Sequence, residues 1–298
     1  MSAPVPDRSG FGGRDLIVAA VMNVMWGLNI IAIKLSVAAM GPLTAGVVRQ
    51  LIVAALCLPA LKLVPGRMRA LLALGVLSGG LFYVAINLSL AVADNVSALA
   101  IAGQLGVPFS LLLAVVVLGE RIHWPRMTGI ALSFGGVALL AFDPAAVHEL
   151  PGIALTALAS AIWAVCSLIQ RALKDVGVAT IYAWIGLCGS LVQGALALAI
   201  DPAGLAALPT LPLGAFGWVA FSAIGSTLIG QGSMSWLLQR HPISTGVPFT
   251  LAAPVISVAA AAWFFATPLS PLVLAGGAIA LSGIAIVTIR TAQPVETQ

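Results

Sequence analysis

Polar and aromatic side chains stand at intervals in otherwise apolar sequence, and any chemistry must reside with them. They are Trp26, Asn29, Lys34, Arg49, Tyr83, Asn87, Gln104, Trp163, Ser167, Gln170, Gln231, Ser235 and Thr250. A polar group placed in hydrocarbon without a partner costs about 2–7 kcal/mol, so each needs either a hydrogen-bond partner or a watered cavity. Helical phase groups them. At about 100° per residue, Tyr83, Asn87 and Asp94 fall within about 40° of one another. Ser97, Gln104 and Pro108 share a face, as do Ser160, Trp163, Ser167 and Gln170. Thr227, Gln231 and Ser235 form a third group, and Thr250, Pro254 and Ser257 a fourth. Each group would equally serve as a helix–helix hydrogen bond. Several segments turning amides and aromatics to one side instead predict a shared aqueous cavity. Amides pair with both ends of a zwitterion, and aromatic rings offer stacking and cation–π surface. Lys34 and Arg49, the two cations within apolar segments, either snorkel to the nearer end or attract a substrate carboxylate. Such a set suits a neutral amino acid better than a phosphate ester, which calls for several convergent cations. Pro108 and Pro254 each remove a helical hydrogen bond and are read as hinges or static kinks.

The elements that would position these groups follow from composition. The 298 residues are 61% hydrophobic and 7% charged, against roughly 45–50% and 25% in soluble domains. A soluble chain of this size could not hide so much apolar surface; a chain dissolved in lipid need not. With about 20 apolar residues per bilayer crossing, ten runs emerge: 16–39, 43–62, 70–93, 96–118, 126–142, 152–171, 178–199, 213–239, 244–265 and 270–289. The first is too long for a signal-peptide core of roughly 7–15 residues. Residues 1–15 read as a disordered cytoplasmic tail and 291–298 as a second short one. Basic residues set the orientation, because Lys and Arg collect in cytoplasmic loops. With the N-terminus inside, eleven of the thirteen lie on that side: Arg8, Arg14, Lys62, Arg67, Arg69, Arg121, Arg126, Arg171, Lys174, Arg240 and Arg290. The opposite loops hold none. Both termini are therefore expected in the cytoplasm, with the protein in the inner (plasma) membrane.

The chain also repeats itself. Pro108 and Pro125 recur as Pro254 and Pro271, both 146 residues on; Gly129 and Gly136 recur as Gly276 and Gly283, both 147 on. Trp26 and Lys34 correspond to Trp163 and Arg171, both shifted by 137. Two halves, 16–142 and 152–290, of five spans each must insert with opposite orientation, because five is odd. This is the inverted-repeat plan of secondary transporters, whose binding site lies between the halves near the bilayer midplane. The fold class expected is thus an all-α polytopic membrane protein of ten helices in two inverted five-helix repeats.

The stretch Leu99 to Leu140 resembles the repeat signature of the drug/metabolite transporter superfamily, EamA type. It carries the mid-helix Pro108, then Leu118-Gly119-Glu120-Arg121, then Gly129 and Gly136. Among its branches the chain is most similar to the YddG-type exporters of aromatic and other amino acids. The resemblance implies a ten-helix carrier that exports amino acids or other small metabolites by alternating access. The second copy departs from the signature, with Phe265-Ala266-Thr267 in place of Gly-Glu-Arg, so any role of the Glu120–Arg121 pair is held once.

Other chemistries find no residues to carry them. The sequence contains no Gly-x-x-x-x-Gly-Lys-Ser/Thr phosphate loop, no His-Glu-x-x-His and no Gly-x-Ser-x-Gly. His123, His148 and His241 fall in loops or at helix ends, and Cys57, Cys166 and Cys188 lack metal-ligand spacing. No enzyme activity, metal or cofactor is expected. The formal charge of +4 belongs to the cytoplasmic loops and calls for no nucleic acid. The partners expected are a small-molecule substrate and the lipid bilayer, with no obligatory protein partner. Asp15, Asp94 and Glu120 sit at span ends, and proton relays use buried carboxylates or histidines; facilitated efflux or exchange is therefore expected over proton coupling. A carrier of phosphorylated or nucleoside-type metabolites, a channel and a lipid flippase remain alternatives.

Overall fold

The computed structural model describes residues 12–119, 124–140, 142–143, 147–240, 250–267 and 269–292. Among these the chain is helical throughout, with no strand. The long helices are α1 (Gly13–Met40), α2 (Pro42–Ala60), α3 (Met68–Val92), α4 (Val96–Val117), α5 (Trp124–Leu140), α6 (Leu150–Arg171), α7 (Val178–Ile200), α8 (Leu213–Leu237), α9 (Ala252–Phe265) and α10 (Pro271–Ala292). Eight of them are long and apolar enough to cross a bilayer. The other two, α5 at 17 residues and α9 at 14, fall where the fifth and ninth crossings are expected. The expected ninth run, 244–265, begins among residues outside those described. Helix α1 starts at Gly13, inside the tail expected at 1–15, and α10 continues to Ala292, inside the tail expected at 291–298.

Turn chemistry separates the helices. Gly41, with φ +80°, closes α1, and Pro42 then opens α2 at a position where a helix needs no N–H. Asn95 accepts the Ala98 N–H at the start of α4, and Asp201 accepts the Gly204 N–H beyond α7. At the loops, Arg67 pairs with Asp175 at 2.9 Å. That hydrogen bond, chiefly, holds the Asp175 carboxyl below its ordinary range.

Within α3, α4 and α8, three segments depart from α geometry. Residues Gly75–Phe82 of α3 and Phe221–Gly230 of α8 are π-helical, and Gly103–Leu105 within α4 is a 3₁₀ turn. Long π segments are rare and concentrate at functional sites. The two here begin 146 residues apart, the same offset that relates Pro108 to Pro254.

Helix contact is most extensive between α5 and α10. A methyl group on Gly136 would lie 2.5 Å from the Gly276 carbonyl oxygen, and one on Gly283 would lie 2.5 Å from that of Gly129. Only hydrogen at these positions lets the two backbones approach. The contact pairs are 129 with 283 and 136 with 276. A shift of 147 residues carries each pair onto the other.

Candidate functional site

A cavity of about 370 Å³ lies between α1, α3, α4, α6, α8 and α9. Its polar and aromatic lining is Trp26, Asn29, Phe82, Tyr83, Gln104, Ser160, Trp163, Ser226, Gln231 and Ser257. A second space of about 460 Å³ shares Gly103, Gln104, Gly106 and Trp163 with it and extends along Ser110, Ser167, Thr250 and Pro254 toward Arg171 and Thr288. A third, of about 280 Å³, joins Trp26, Gln104, Thr250 and Pro254. Gln104 therefore borders all three.

The lining is held by specific contacts. Trp26 Nε1 donates to the Ser226 carbonyl at 3.1 Å, inside the α8 π segment. Trp163 packs against Phe82 with centroids 5.4 Å apart. Ser167 donates to Ser110 Oγ at 3.3 Å and to the Ala164 carbonyl. Gln104 donates to the Ala100 carbonyl at 3.3 Å. Asn29 Oδ1 is buried without a hydrogen-bond partner.

Behind the main cavity is a pocket of about 40 Å³ lined by Arg49, Gln50, Ser78, Tyr83, Trp163, Tyr182, Ser226, Thr227 and Gln231. Tyr83, Trp163, Ser226 and Gln231 are common to both. Arg49 is 4% exposed. Its Nε donates to Ser222 Oγ at 3.0 Å and its Nη2 to Thr227 Oγ1 at 2.6 Å, while its guanidinium lies 3.7 Å from the Tyr83 ring centroid.

Two other residues singled out by sequence, Lys34 and Asn87, have structural partners. Lys34 does not line these cavities: its Nζ donates to the Leu90 and Ala93 carbonyls at 2.7 and 2.5 Å, closing the end of α3. A cation there also complements the helix dipole. Asn87 donates to the Pro42 carbonyl and borders only a void of about 10 Å³ beside Arg49. Gln170, Ser235 and Pro108 do not line the cavities described, whereas Pro254 does. The 3₁₀ turn at Gly103–Leu105 changes the phase between Gln104 and Pro108, so the face they share on an ideal helix is not kept.

Several neighbours had no sequence signal. Gln50 and Gln193 are fully buried and both donate to the Gly79 carbonyl, at 3.0 and 2.7 Å, within the α3 π segment. At the Leu90 end, Glu149 accepts the Asp94 N–H at 3.2 and 3.1 Å and the Asn95 N–H at 2.8 Å. Ile33, Val37, Met40, Leu90, Val96 and Leu99 pack beside it in one apolar cluster. That end is sealed by apolar packing and a polar knot together. No group of His, Cys, Asp and Glu among the described residues could hold a metal ion.

An all-helical bundle with long apolar helices around a polar, aromatic interior cavity is the architecture of a multi-pass membrane protein with room for a small molecule. The family model for the EamA-like transporter family matches twice, at residues 14–142 and 150–289, and the chain belongs to that family. It is 25% identical over 287 residues to a probable amino-acid metabolite efflux pump of Escherichia coli (strain K12), covering 92% of this chain and 94% of that one. It is 28% identical over 291 residues to an uncharacterized transporter of Archaeoglobus fulgidus, covering 92% and 98%. A probable terminal-alkyne amino-acid exporter of Streptantibioticus cattleyicolor is 27% identical over 188 residues, 61% of each chain. A solved crystal structure shares the fold, with TM-score 0.62 at 19% identity, over 94% of this chain and 99% of that one.

Proposed function

We propose that this transporter exports small zwitterionic metabolites, neutral and aromatic amino acids foremost, across the inner membrane by alternating access. The observation that carries the reading is the cavity of about 370 Å³ in which two indoles and a phenol stand among the neutral amides Asn29, Gln104 and Gln231. Its volume falls within the roughly 300–1,000 Å³ of small-molecule sites. A phosphate ester would call for several cations here; among the described residues the main cavity has none, Arg49 lines the pocket behind it, and Arg171 lies at the far end of the second space. Two relatives named for amino-acid export support the same substrate class.

In this reading all ten helices cross, as two inverted halves at 16–142 and 152–290, with both termini cytoplasmic. The reciprocal glycine pairs of α5 and α10 and the matched π segments support the two-fold relation. The Leu90 end is then the outer gate, shut, and the Arg171 end is the cytoplasmic approach. The test is exchange of labelled amino acids into proteoliposomes of purified protein, with competition by nucleosides, organic acids and sugar phosphates. Saturable, trans-stimulated exchange of neutral amino acids is expected. Selective flux of phosphate esters with no amino-acid exchange would overturn the substrate and leave the carrier.

A further inference from the structure

Adjacent residues of α2 grip the two π-helical segments, one each. Gln50 donates to the Gly79 carbonyl in α3, and Arg49 donates to the Ser222 and Thr227 hydroxyls in α8. Arg49 also covers the ring of Tyr83, the first residue beyond the α3 segment. None of these contacts is with a carboxylate, although an ionised group buried in a bundle is costly unless a counter-charge completes it. Two hydroxyls take only two of the five guanidinium N–H donors. The adjoining pocket of about 40 Å³ has room for a carboxylate, since one water needs roughly 10–15 Å³ by the same measure. It shares Tyr83, Trp163, Ser226 and Gln231 with the substrate cavity.

From this geometry we infer that Arg49 is the carboxylate subsite of the cavity, and that a substrate carboxylate engages it by displacing Ser222 and Thr227, releasing the α8 π segment. A planar bidentate pair is stronger than two neutral hydroxyl contacts, so the exchange runs toward the ligand. The released segment also carries the Ser226 carbonyl that holds Trp26, which links carboxylate capture to movement of a cavity wall. The substrate class rests on the amino-acid reading above; the subsite itself requires only a carboxylate.

The test compares phenylalanine with phenylalaninamide as competitors of labelled phenylalanine exchange in proteoliposomes, and as thermal stabilisers of the detergent-purified protein. The wild type should prefer the acid, and Arg49→Gln should weaken the acid by at least about thirtyfold, the order expected on removing one partner of a buried charged pair, so that the preference for acid over amide is lost. Thr227→Val keeps the cation, removes a competitor and should tighten the acid alone, which protects the test against misfolding of the arginine variant. Amide hydrogen exchange across 221–230 should rise on adding the acid to the wild type. An Arg49→Gln protein that still prefers acid over amide overturns the subsite while leaving amino-acid export intact. Unchanged hydrogen exchange overturns the release step. Arg49-dependent stabilisation by other carboxylates, with no amino-acid exchange, keeps the subsite and overturns the amino-acid reading. A wild type that no carboxylate stabilises better than its amide overturns the subsite.

Discussion

Residues of one chemical type divide here by what surrounds them. Asn29, Gln104 and Gln231 border the cavity, whereas Gln50, Gln193 and Asn87 spend their amide N–H groups on backbone carbonyls of neighbouring helices. Their substitutions should separate accordingly. Trp163→Ala and Gln231→Ala should lower transport per folded molecule by about tenfold or more, the scale of losing one or two good ligand contacts, with a smaller effect on stability. Asn87→Ala should do the reverse, removing the side-chain hydrogen bond that ties α3 to the Pro42 carbonyl of α2, worth about 0.5–1.5 kcal/mol. Transport normalised to folded protein, set beside detergent melting curves, checks both. Equal losses for all three would mean that the cavity lining has no special role.

The departures from regular helix matter most at the scale of elements. A π segment widens the helix and rotates everything after it, and two such segments bring Tyr83 on α3 and Gln231 on α8 to the cavity. Between α5 and α10 the backbone contact leaves no space for Cβ at Gly136 or Gly283. Gly136→Leu must therefore push the helices apart; overpacking costs about 1–3 kcal/mol, occasionally more. The expected result is loss of monodisperse protein on size exclusion, while Gly135→Leu, at a position with nothing within 4 Å, should be tolerated. The polar knot at the sealed end makes a second prediction. Glu149 satisfies two N–H groups at the α3–α4 turn, and Glu149→Ala should cost about 1.5–3 kcal/mol, as for hydrogen bonds to a charged group. The variant's melting temperature should fall, and cysteines placed near Leu90 should become labelled more readily from outside. Normal stability and labelling would show that the knot is incidental.

For the whole molecule, orientation and energy source each carry a prediction. If both termini are cytoplasmic, reporters of cytoplasmic location fused after Arg69, Arg126, Lys174 or Arg290 should be active, and those after Pro42, Pro144 or Ala203 inactive. A swap after a single helix would remove the ten-crossing arrangement. The carboxylates of the described residues, Asp15, Asp94, Asp143, Glu149, Asp175 and Asp201, lie at or beyond helix ends. Counterflow of labelled substrate should accordingly persist in the presence of a protonophore; accumulation strictly dependent on an imposed pH gradient would contradict it.

Composition and spacing alone determined that this chain lives in lipid and where its apolar runs lie, and they pointed to two related halves. Those properties depend on solvent preference and on covalent order, which a sequence states directly. The glycines at 129, 136, 276 and 283 were visible as a repeat, but the sequence did not reveal that they meet across one helix pair. Trp26, Trp163, Gln104 and Gln231 were legible as inward groups because aromatics and amides inside apolar helices have few other places to go. The division of labour among Lys34, Arg49, Asn87 and Gln170 was not legible, because an ideal helical phase carries no record of a π segment or a 3₁₀ turn. Nor does it say which carbonyl a neighbouring helix leaves free. Tertiary packing alone turned Lys34 to the end of α3, buried Arg49 beside Tyr83 and gave adjacent side chains of α2 hold of both π segments. Hydrogen-bond satisfaction in a low-dielectric interior is a property of the assembled bundle, decided only when all the helices are in place.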